Sequence, residues 1–366
     1  MSVDLKDKTL GELESIVADM GGKKYLAAYI FQFIHVESAA EISRITPLSK
    51  AFRQQLVERG YNILGLNVAE KLTDKDGTAK YLFELGDGNR IETVLLLDGK
   101  RRTLCVSTQV GCTMDCRFCA TAKIPFERNL TAGEIVDQVN VAQKDAGRIS
   151  NVVYMGMGEP LVNYDAVVRS LEILNHPKGK NIGLRHMTVS TCGIVPAIRK
   201  LAEEKVHPRL AVSLNAPTDD LRTRLMPINA KYPVNDLLKA VRFYQAKTRQ
   251  RVTFEYVMIK GLNDSTNQAA LLVKLLKGLA CNVNLIEHNP HRRCKYVGSG
   301  GRRISSFASV LEDAGIETVV RFRMGRGIGA ACGQLGADWK RISKIRDQKS
   351  KLRNSPVADN LHNSAL

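Results

Sequence analysis

Short runs rich in β-branched residues alternate with longer amphipathic segments from about residue 103 to residue 325, and this alternation constrains the fold most strongly. The predicted strands are residues 104–108, 151–155, 187–190, 210–214, 252–258 and 282–286. The predicted helices are residues 131–146, 164–175, 194–204, 234–247, 265–278 and 303–314. Such alternation is typical of parallel strands joined by crossover helices. Six strand–helix pairs are too few for a closed eightfold barrel, so we expect an α/β fold with an open, partial (β/α)6 barrel.

Three further regions flank this predicted core of residues 103–339. Residues 1–60 carry apolar residues at helical spacing, which predicts a small helical accessory domain that is either RNA-binding or a solvated cap. Residues 61–102 alternate apolar and polar side chains between Asp-Gly turns, which predicts a β-hairpin or meander. Residues 340–366 form a basic tail, which we expect to be flexible and either to touch RNA or to be passive.

The net charge of +17 favours a polyanionic partner such as nucleic acid, although charge alone does not exclude a merely soluble basic protein. Residues 100–102 (Lys-Arg-Arg) and 291–293 (His-Arg-Arg) with Tyr296 are candidate phosphate contacts, or solvated surface. We find no long apolar run and no signal peptide, so we expect no membrane partner and a cytoplasmic location. In that compartment, eight cysteines indicate metal, redox or core positions rather than a disulfide framework.

Three cysteines share one short loop after the first predicted strand: Cys112, Cys116 and Cys119, in the run Gly-Cys-Thr-Met-Asp-Cys-Arg-Phe-Cys. Three thiolates at this spacing can hold one iron–sulfur cluster. A four-iron cluster held by three cysteines leaves one iron open to a substrate or cofactor. The alternative is a zinc ion with Cys105 as its fourth ligand, although zinc sites more often pair two Cys-x2-Cys units.

This loop resembles the cluster loop of the radical S-adenosylmethionine (SAM) superfamily, and Phe118 before the last cysteine fits that pattern. The turn Gly-Met-Gly-Glu-Pro at residues 156–160 resembles the second motif of the superfamily. The run Ala-Ala-Cys-Gly-Gln-Leu around Cys332, with Gly-Met-Gly-Glu-Pro-Leu and Thr-Phe-Glu-Tyr-Val, resembles the RlmN/Cfr family of RNA methyltransferases. The resemblance runs from about residue 10 to residue 339 and is closer to RlmN than to Cfr.

The resemblance implies a [4Fe–4S] cluster on the three-cysteine loop and two SAM molecules per turnover. It implies that Cys332 carries a methyl group as S-methylcysteine, and that a radical at this methyl carbon adds to an adenine of RNA. Glu92 then accepts the ring proton. Cys105 attacks the Cys332 sulfur, which releases the methylated RNA and leaves a transient disulfide between the two cysteines.

The candidate SAM-binding residues lie at the ends of predicted strands. They are Gly158, Glu159, Ser190, Ser213, Leu214, Asn215 and Asn289. Glycines at a strand end allow close backbone approach, and Glu159 could accept a hydrogen bond from the methionine ammonium group of SAM. On the residues alone, each of the polar side chains is also compatible with an ordinary loop.

The implied reaction is methylation of C2 of adenine 2503 in 23S rRNA, and of adenine 37 in some tRNAs, through a covalent RNA–protein adduct. The adenine must be unstacked or flipped to expose its edge. Methylation of C8, as in Cfr, would use the same catalytic residues. The implied partners are rRNA, tRNA and an electron donor such as flavodoxin or ferredoxin, with the chain as a monomer. A non-catalytic RNA-binding protein with a metal staple is the alternative outside the family, but it would have no use for Cys332.

Three positions depart from the family pattern. Asn215 stands where the family usually has His, and Gly327 stands where it usually has Asp. Glu287 and His288 replace the commoner Pro-Tyr before Asn289. These departures leave the radical chemistry in place, but they keep open a divergent paralogue with another RNA target.

Overall fold

The computed structural model describes residues 2–321 and 324–338, so the predicted basic tail at 340–366 lies outside the described residues. The described strands are β1 (Val3–Asp4), β2 (Tyr61–Asn62), β3 (Asn67–Thr73), β4 (Ala79–Glu84), β5 (Arg90–Asp98), β6 (Arg101–Cys105), β7 (Gln109–Val110), β8 (Arg128–Asn129), β9 (Asn151–Tyr154), β10 (Met187–Thr191), β11 (Arg209–Ser213), β12 (Val252–Met258), β13 (Cys281–Glu287) and β14 (Glu317–Arg321). The described α-helices are α1 (Leu10–Asp19), α2 (Tyr25–His35), α3 (Lys50–Glu58), α4 (Ala132–Ala146), α5 (Tyr164–Asn175), α6 (Val195–Leu201), α7 (Asp219–Leu225), α8 (Val234–Thr248), α9 (Thr266–Leu276) and α10 (Gly301–Asp313). Within this part of the chain, no helix has the length and apolar character needed to cross a membrane.

One sheet dominates the described part of the chain, with ten strands in the order β14-β13-β12-β11-β10-β9-β6-β5-β4-β3. Every neighbouring pair from β14 to β6 is parallel, and helices connect successive strands. The predicted α/β fold with a partial barrel is therefore confirmed. The antiparallel strands β3 to β6 continue the same sheet, so the predicted meander extends the wall of the barrel.

Two strands differ from their predictions. The first parallel strand runs over Arg101–Cys105 instead of 104–108, because it pairs with β5 from the turn onward. Beyond it, Thr108 N bonds to Met157 O in a loop (2.8 Å). The strand β14 was not predicted. Its Val319 and Val320 side chains are 43% and 41% exposed, so this edge strand lacks the buried alternation that marks the others.

The N-terminal helices pack against α4 through polar contacts. Lys6 Nζ lies 2.6 Å from Asp137 Oδ1, and both side chains are almost completely buried. Asp137 also accepts a hydrogen bond from Leu66 N (2.8 Å), and Asp7 accepts one from Gly133 N (3.0 Å). These contacts tie the N-terminal helices to the first crossover helix of the barrel.

Residues 325–338 run from the turn between β3 and β4 to the cluster loop and β5. Gly325 N donates to Asp76 Oδ2 (2.9 Å), and Gly327 N donates to Asp74 Oδ2 (2.9 Å). Both acceptors belong to the turn between β3 and β4, whereas the segment begins just after β14. The segment therefore bridges the gap in the barrel wall, and it carries Cys332 over the carboxyl ends of the parallel strands.

Candidate active site

The predicted site residues follow the carboxyl ends of the parallel strands. Cys105 ends β6, Glu159 follows β9, Ser190 lies at the end of β10, Ser213 ends β11 and Asn289 follows β13. Carboxyl ends of neighbouring parallel strands open on the same edge of a sheet. The fold therefore gathers these residues at one rim of the barrel.

The loop between β7 and β8 carries the three cysteines, Cys112, Cys116 and Cys119. Directly after the last of them, Ala120 N donates a hydrogen bond to Gly333 O (2.8 Å). Gly333 is the neighbour of Cys332 in sequence. The three-cysteine loop and the Cys332 segment are thus held against each other at the rim.

The three thiols fit an iron–sulfur cluster better than a single zinc ion. Burial raises the pKa of the Cys112 thiol to about 12, and burial with the charges of Cys119 and Cys112 raises the pKa of Cys116 well above its usual value. Buried thiolates this close together need a cation to offset their charge. Among residues 2–321 and 324–338, however, their sulfurs do not form a set within 4.8 Å of one another, which suits a wide cluster. Among these described residues, Cys105, the fourth ligand of the zinc alternative, does not form such a set with them either.

The Gly-Met-Gly-Glu turn after β9 packs tightly against β7 and the residues just before it. Gly158 has a φ of +99°, and a Cβ there would lie 2.5 Å from Gln109 Cβ, so only glycine fits. Glu159 is buried, with Oε2 accepting from Cys192 N (2.8 Å) and Oε1 accepting from Leu161 N (3.0 Å). Burial raises the pKa of its carboxyl group. The side chains of Thr191 and Cys192 also hydrogen-bond to this carboxylate.

Asn215 is turned into the protein. Its Oδ1 accepts from Val257 N (2.8 Å), and its Nδ2 lies 3.1 Å from Met226 Sδ. Its φ of +59° lies in the left-handed region, which Asn tolerates better than most residues. The protein therefore already occupies both polar ends of this side chain.

The remaining predicted SAM contacts sit at strand ends with different exposure. Ser190 and Ser213 are partly exposed, whereas Leu214 is fully buried. Asn289 Nδ2 donates to Cys332 O (3.1 Å). Asn289 thereby links the end of β13 to the Cys332 segment.

Arg222 was missed by the sequence reasoning. This residue of α7 is fully buried, and its Nη2 donates to Cys192 O (2.6 Å) and its Nε to Leu214 O (3.1 Å). Its Nη1 donates to Asn229 Oδ1 (2.9 Å). Arg222 ties together the chain after β10 and the chain after β11. A lone arginine on a short helix carries no sequence signal for such a role.

Cys332 and Cys105 are both free thiols at the rim. Burial raises the pKa of Cys105 to about 12, and the charge of Cys332 raises it as well. Cys332 borders the open rim and is exposed as a residue, and the charges of Glu255, Cys119 and Arg321 act on its thiol. Burial and the charges of Glu255 and Cys119 raise the pKa of Cys332 to about 11. The structure therefore brings Cys332 together with Cys105 and with the cluster loop.

Glu92 lies on β5 beneath the Cys332 segment. Its Oε2 accepts from Gly336 N (2.6 Å), and its Oε1 lies 3.2 Å from Lys80 Nζ, with both side chains buried. Lys80 Nζ also donates to Gly329 O (3.3 Å). Lys80 was not predicted, because the alternation of β4 suggested only a strand with one polar face.

Glu255 is a second buried carboxylate at this site that was not predicted, although it lies in the Thr-Phe-Glu-Tyr-Val run. Its Oε1 accepts from Asn284 Nδ2 (2.8 Å), and Arg321 Nη2 is 3.7 Å away. Burial raises the pKa of its carboxyl group. A single acidic residue within an apolar strand was the signal that could have found it.

The two candidate phosphate-binding groups lie at opposite ends of the barrel. Residues 100–102 begin β6, at the amino end of a parallel strand and away from the rim. Residues 291–293 follow β13 at the rim, where His291 Nε2 lies 3.1 Å from Phe118 O of the cluster loop. Only the second group lies beside the candidate site.

Residues 106–273 match the family model described as the radical SAM superfamily, and residues 3–61 match the model for the ribosomal RNA large subunit methyltransferase N-terminal domain. A Thermoanaerobacter sp. (strain X514) protein named "Probable dual-specificity RNA methyltransferase RlmN" is 46% identical over 333 residues, which are 91% of this chain and 97% of that protein. The chain belongs to the RlmN family of radical SAM RNA methyltransferases.

Two further relatives support membership of this family. The "Dual-specificity RNA methyltransferase RlmN" of Syntrophobacter fumaroxidans is 45% identical and is covered over 99% of its length, with 92% of this chain. The crystal structure of a radical SAM methyltransferase from Sphaerobacter thermophilus is 44% identical, with a TM-score of 0.86 over 92% of this chain and 99% of that one. Radical SAM enzymes use a [4Fe–4S] cluster and SAM, the cofactors assigned to the three-cysteine loop.

Proposed function

We propose that this protein methylates C2 of adenine 2503 in 23S rRNA, and of adenine 37 in tRNA, through an S-methylated Cys332. The observation that carries the proposal is that two free thiols, Cys332 and Cys105, lie at the rim beside the three-cysteine loop, where the charge of Cys332 raises the pKa of Cys105. A non-catalytic RNA-binding protein would need neither thiol there. The names of the relatives support RNA as the substrate and a dual specificity.

Cys112, Cys116 and Cys119 would hold the cluster, and the residues in contact with SAM would be Gly158, Glu159, Ser190, Ser213, Leu214, Asn215 and Asn289. When bound, the cluster and SAM supply a methyl group and the one-electron chemistry that removes a hydrogen atom from a methyl carbon. Glu159 suits the methionine ammonium group, because its buried carboxylate offers the complementary charge at this rim. Asn215 would shape the backbone of the strand end, since its side chain is already bonded within the protein.

Three residues would carry the steps that the protein itself performs. Cys332 would bear the methyl carbon and bond through it to the adenine ring. Glu92 would accept the ring proton, with Lys80 and Gly336 N holding its carboxylate in place. Cys105 would then attack the Cys332 sulfur, so that a disulfide forms and the S–C bond to the RNA breaks. The electron pair of that bond leaves with the methylene carbon, which takes up a proton and becomes the new methyl group. Burial keeps the Cys105 thiol protonated, so it must lose its proton before it attacks.

The proposed reaction also requires two reductants. A one-electron reductant such as flavodoxin or ferredoxin would reduce the cluster, and a thiol reductant would reopen the disulfide. We propose that the enzyme acts as a monomer in the cytoplasm, where both its RNA substrates and reductants are present. The target adenine would enter the rim unstacked, since its ring edge must reach Cys332.

Mass spectrometry of rRNA and tRNA nucleosides from cells with and without the gene tests the proposal. We expect 2-methyladenosine to disappear from both RNA classes on deletion and to return with the wild-type gene. Loss of 8-methyladenosine instead would indicate Cfr-like chemistry. An unchanged content of both nucleosides would contradict the proposed reaction and point to another RNA target.

Replacement of the proposed resolving cysteine gives a second test. Cys105→Ala protein should form the adduct between Cys332 and RNA but fail to release it, because no thiol remains to attack the sulfur. Purified Cys105→Ala protein should therefore carry covalently bound RNA that survives denaturation, and the Cys105→Ala/Cys332→Ala double variant should carry none. Recovery of only free RNA from the single variant would show that Cys105 is not the resolving group.

A further inference from the structure

A second group of metal-ligating side chains lies beside the cluster loop. His288, His291 and Cys294 each offer one ligand atom, and these three atoms lie within 4.8 Å of one another. His288 is buried, and the other two residues are partly buried. Within the described ranges 2–321 and 324–338, no other set of three does the same. We propose that these residues bind one zinc ion at a site separate from the iron–sulfur cluster.

The donor set suits zinc. Two imidazole nitrogens and one thiolate are borderline-soft ligands of the kind that zinc takes in proteins. In a tetrahedral zinc site, neighbouring nitrogen and sulfur ligands lie roughly 3.6 Å apart, as bond lengths of about 2.0–2.3 Å require. The three atoms therefore have to approach one another by about 1.5 Å at most, which side-chain rotation can provide. A fourth position remains for water.

His291 is already oriented as metal-binding histidines usually are. Its Nε2 lies 3.1 Å from Phe118 O, and a carbonyl oxygen can only accept, so the ring hydrogen is on Nε2. The lone pair is then on Nδ1, which accepts a long hydrogen bond from Arg293 N (3.3 Å). A ring N–H donated to a backbone carbonyl is the usual way to fix the tautomer of a zinc-bound histidine. Zinc at Nδ1 would replace the long bond from Arg293.

Cys294 has surroundings that suit a metal-bound thiolate. Its Sγ lies 3.5 Å from Arg117 O as a donor and accepts from Tyr296 N at 3.5 Å. Zinc binding would release the thiol proton to solvent and form the Zn–S bond. The contact from Tyr296 N would remain as an N–H···S hydrogen bond to the thiolate. The contact with Arg117 O would be lost.

The three residues lie beside the cluster loop, so a zinc ion bound to them would affect the active site. His291 and Cys294 contact Phe118 and Arg117, which lie between two cysteines of the cluster loop. A zinc ion would hold the segment after β13 in one conformation against that loop. His288 is one of the departures from the family pattern, so the site belongs to this chain and to relatives that share all three residues.

Zinc analysis of the protein with its cluster reconstituted anaerobically tests the proposal without using methylation activity. Protein exposed to zinc and then desalted should retain about one zinc per chain, with its iron content unchanged. X-ray absorption at the zinc edge should show one sulfur at about 2.3 Å and nitrogen or oxygen at about 2.0–2.1 Å. A zinc ion bound by three sulfurs would lie in the cluster loop and would overturn the proposal, as would retention of no zinc.

Variants locate the ion. His288→Tyr restores the commoner family residue, so it should fold normally, and it should lower zinc retention at least about tenfold, as should Cys294→Ser. Cys281→Ser, at the opposite end of β13, is the matched control and should retain zinc like the wild type. Unchanged iron content and circular dichroism would show that each variant is folded. Wild-type zinc retention by a folded His288→Tyr or Cys294→Ser protein would place the metal elsewhere and overturn the proposal.

Discussion

The carboxylate of Glu92 is held by a lysine on the neighbouring strand β4 and by a backbone N–H that is 244 residues away. Lys80 Nζ pairs with Oε1 (3.2 Å), and Gly336 N donates to Oε2 (2.6 Å). Lys80 also reaches Gly329 O, 249 residues away. At the scale of single residues, Lys80 is thus the link between the proposed proton acceptor and the segment that carries Cys332.

Lys80→Met should destabilise the protein by about 3–5 kcal/mol, because it leaves a buried carboxylate without its partner charge. The free energy of unfolding, measured by anaerobic denaturant titration, checks this value. The double variant Lys80→Met/Glu92→Gln has no uncompensated charge and should recover most of the loss. If the double variant were as unstable as the single one, packing of the lysine stem rather than charge pairing would explain the effect.

The sequence alone identifies residues whose spacing is typical of one kind of chemical site. Cys112, Cys116 and Cys119 could be read because one loop supplies all three thiols. Arg222 and Lys80 could not be predicted, because their roles depend on hydrogen-bond and ion-pair partners on other elements. A buried polar network of this kind becomes visible only when the fold brings its members together.

At the scale of elements, the segment at 325–338 and the turn between β3 and β4 form one joint. A Cβ on Gly327 would lie 2.9 Å from Asp74 Oδ1, and Asp74 Oδ2 already accepts from Gly327 N (2.9 Å). The family's usual Asp would therefore meet the carboxylate of Asp74 in this chain. Glycine at position 327 avoids this contact with Asp74.

Gly327→Asp should loosen this joint, because it adds a steric contact and a like charge beside Asp74. We expect faster proteolytic cleavage within 325–338 and at least about a tenfold lower rate of RNA methylation. Asp74→Asn in the same protein removes the charge repulsion and should restore part of the protection. Equal cleavage rates in wild type and Gly327→Asp would show that Gly327 and Asp74 do not hold the segment at 325–338 in place.

Helix α2 contributes a buried histidine that should make stability depend on pH. His35 is fully buried against Phe31, with ring centroids 4.5 Å apart, and burial, helped by Lys180, Lys6 and His176, lowers the pKa of His35 to about 3. Below pH 6.5, His35 binds a proton in the unfolded chain but not in the folded chain. The folded state therefore loses stability as the pH falls from about 6.5 toward 3.

Between pH 7.5 and pH 5.5, the wild type should lose about 1.4 kcal/mol more stability than His35→Phe, which keeps the aromatic contact and does not titrate. Denaturant titrations of both proteins at the two pH values measure this difference. Identical pH dependence in the two proteins would mean that His35 takes up its proton in the folded state.

Elements with a buried face were predictable, and those without one were not. The strands from β9 to β13 and the helices α4, α5, α8, α9 and α10 lie close to their predicted bounds, since their apolar faces are buried. The edge strand β14 and the seven-residue helix α7 were missed, because one is largely exposed and the other is too short for periodicity to be measured.

On the scale of the whole molecule, the net charge of +17 does not show where RNA binds. The positions of the basic residues on the barrel decide this. Residues 100–102 lie at the amino end of β6, whereas residues 291–293 lie at the rim beside the cluster loop. RNA that presents an adenine to Cys332 must pass over that rim. The rim arginines, and not those at the far end, should therefore contact phosphate.

Salt dependence of RNA binding separates the two ends of the barrel. Arg292 is largely exposed at the rim and pairs with Asp338. If it contacts one phosphate, Arg292→Ala should reduce the slope of log K against log salt by about 0.7–0.9. Arg101→Ala, at the far end, should leave the slope unchanged, and Asp338→Ala should not reduce it, because it only frees the arginine. The reverse result, with Arg101→Ala lowering the slope and Arg292→Ala leaving it intact, would mean that RNA approaches from the amino ends of the strands. Such an approach could not deliver the base to Cys332 without passing through the packed barrel, so it would also count against the proposed reaction at this rim.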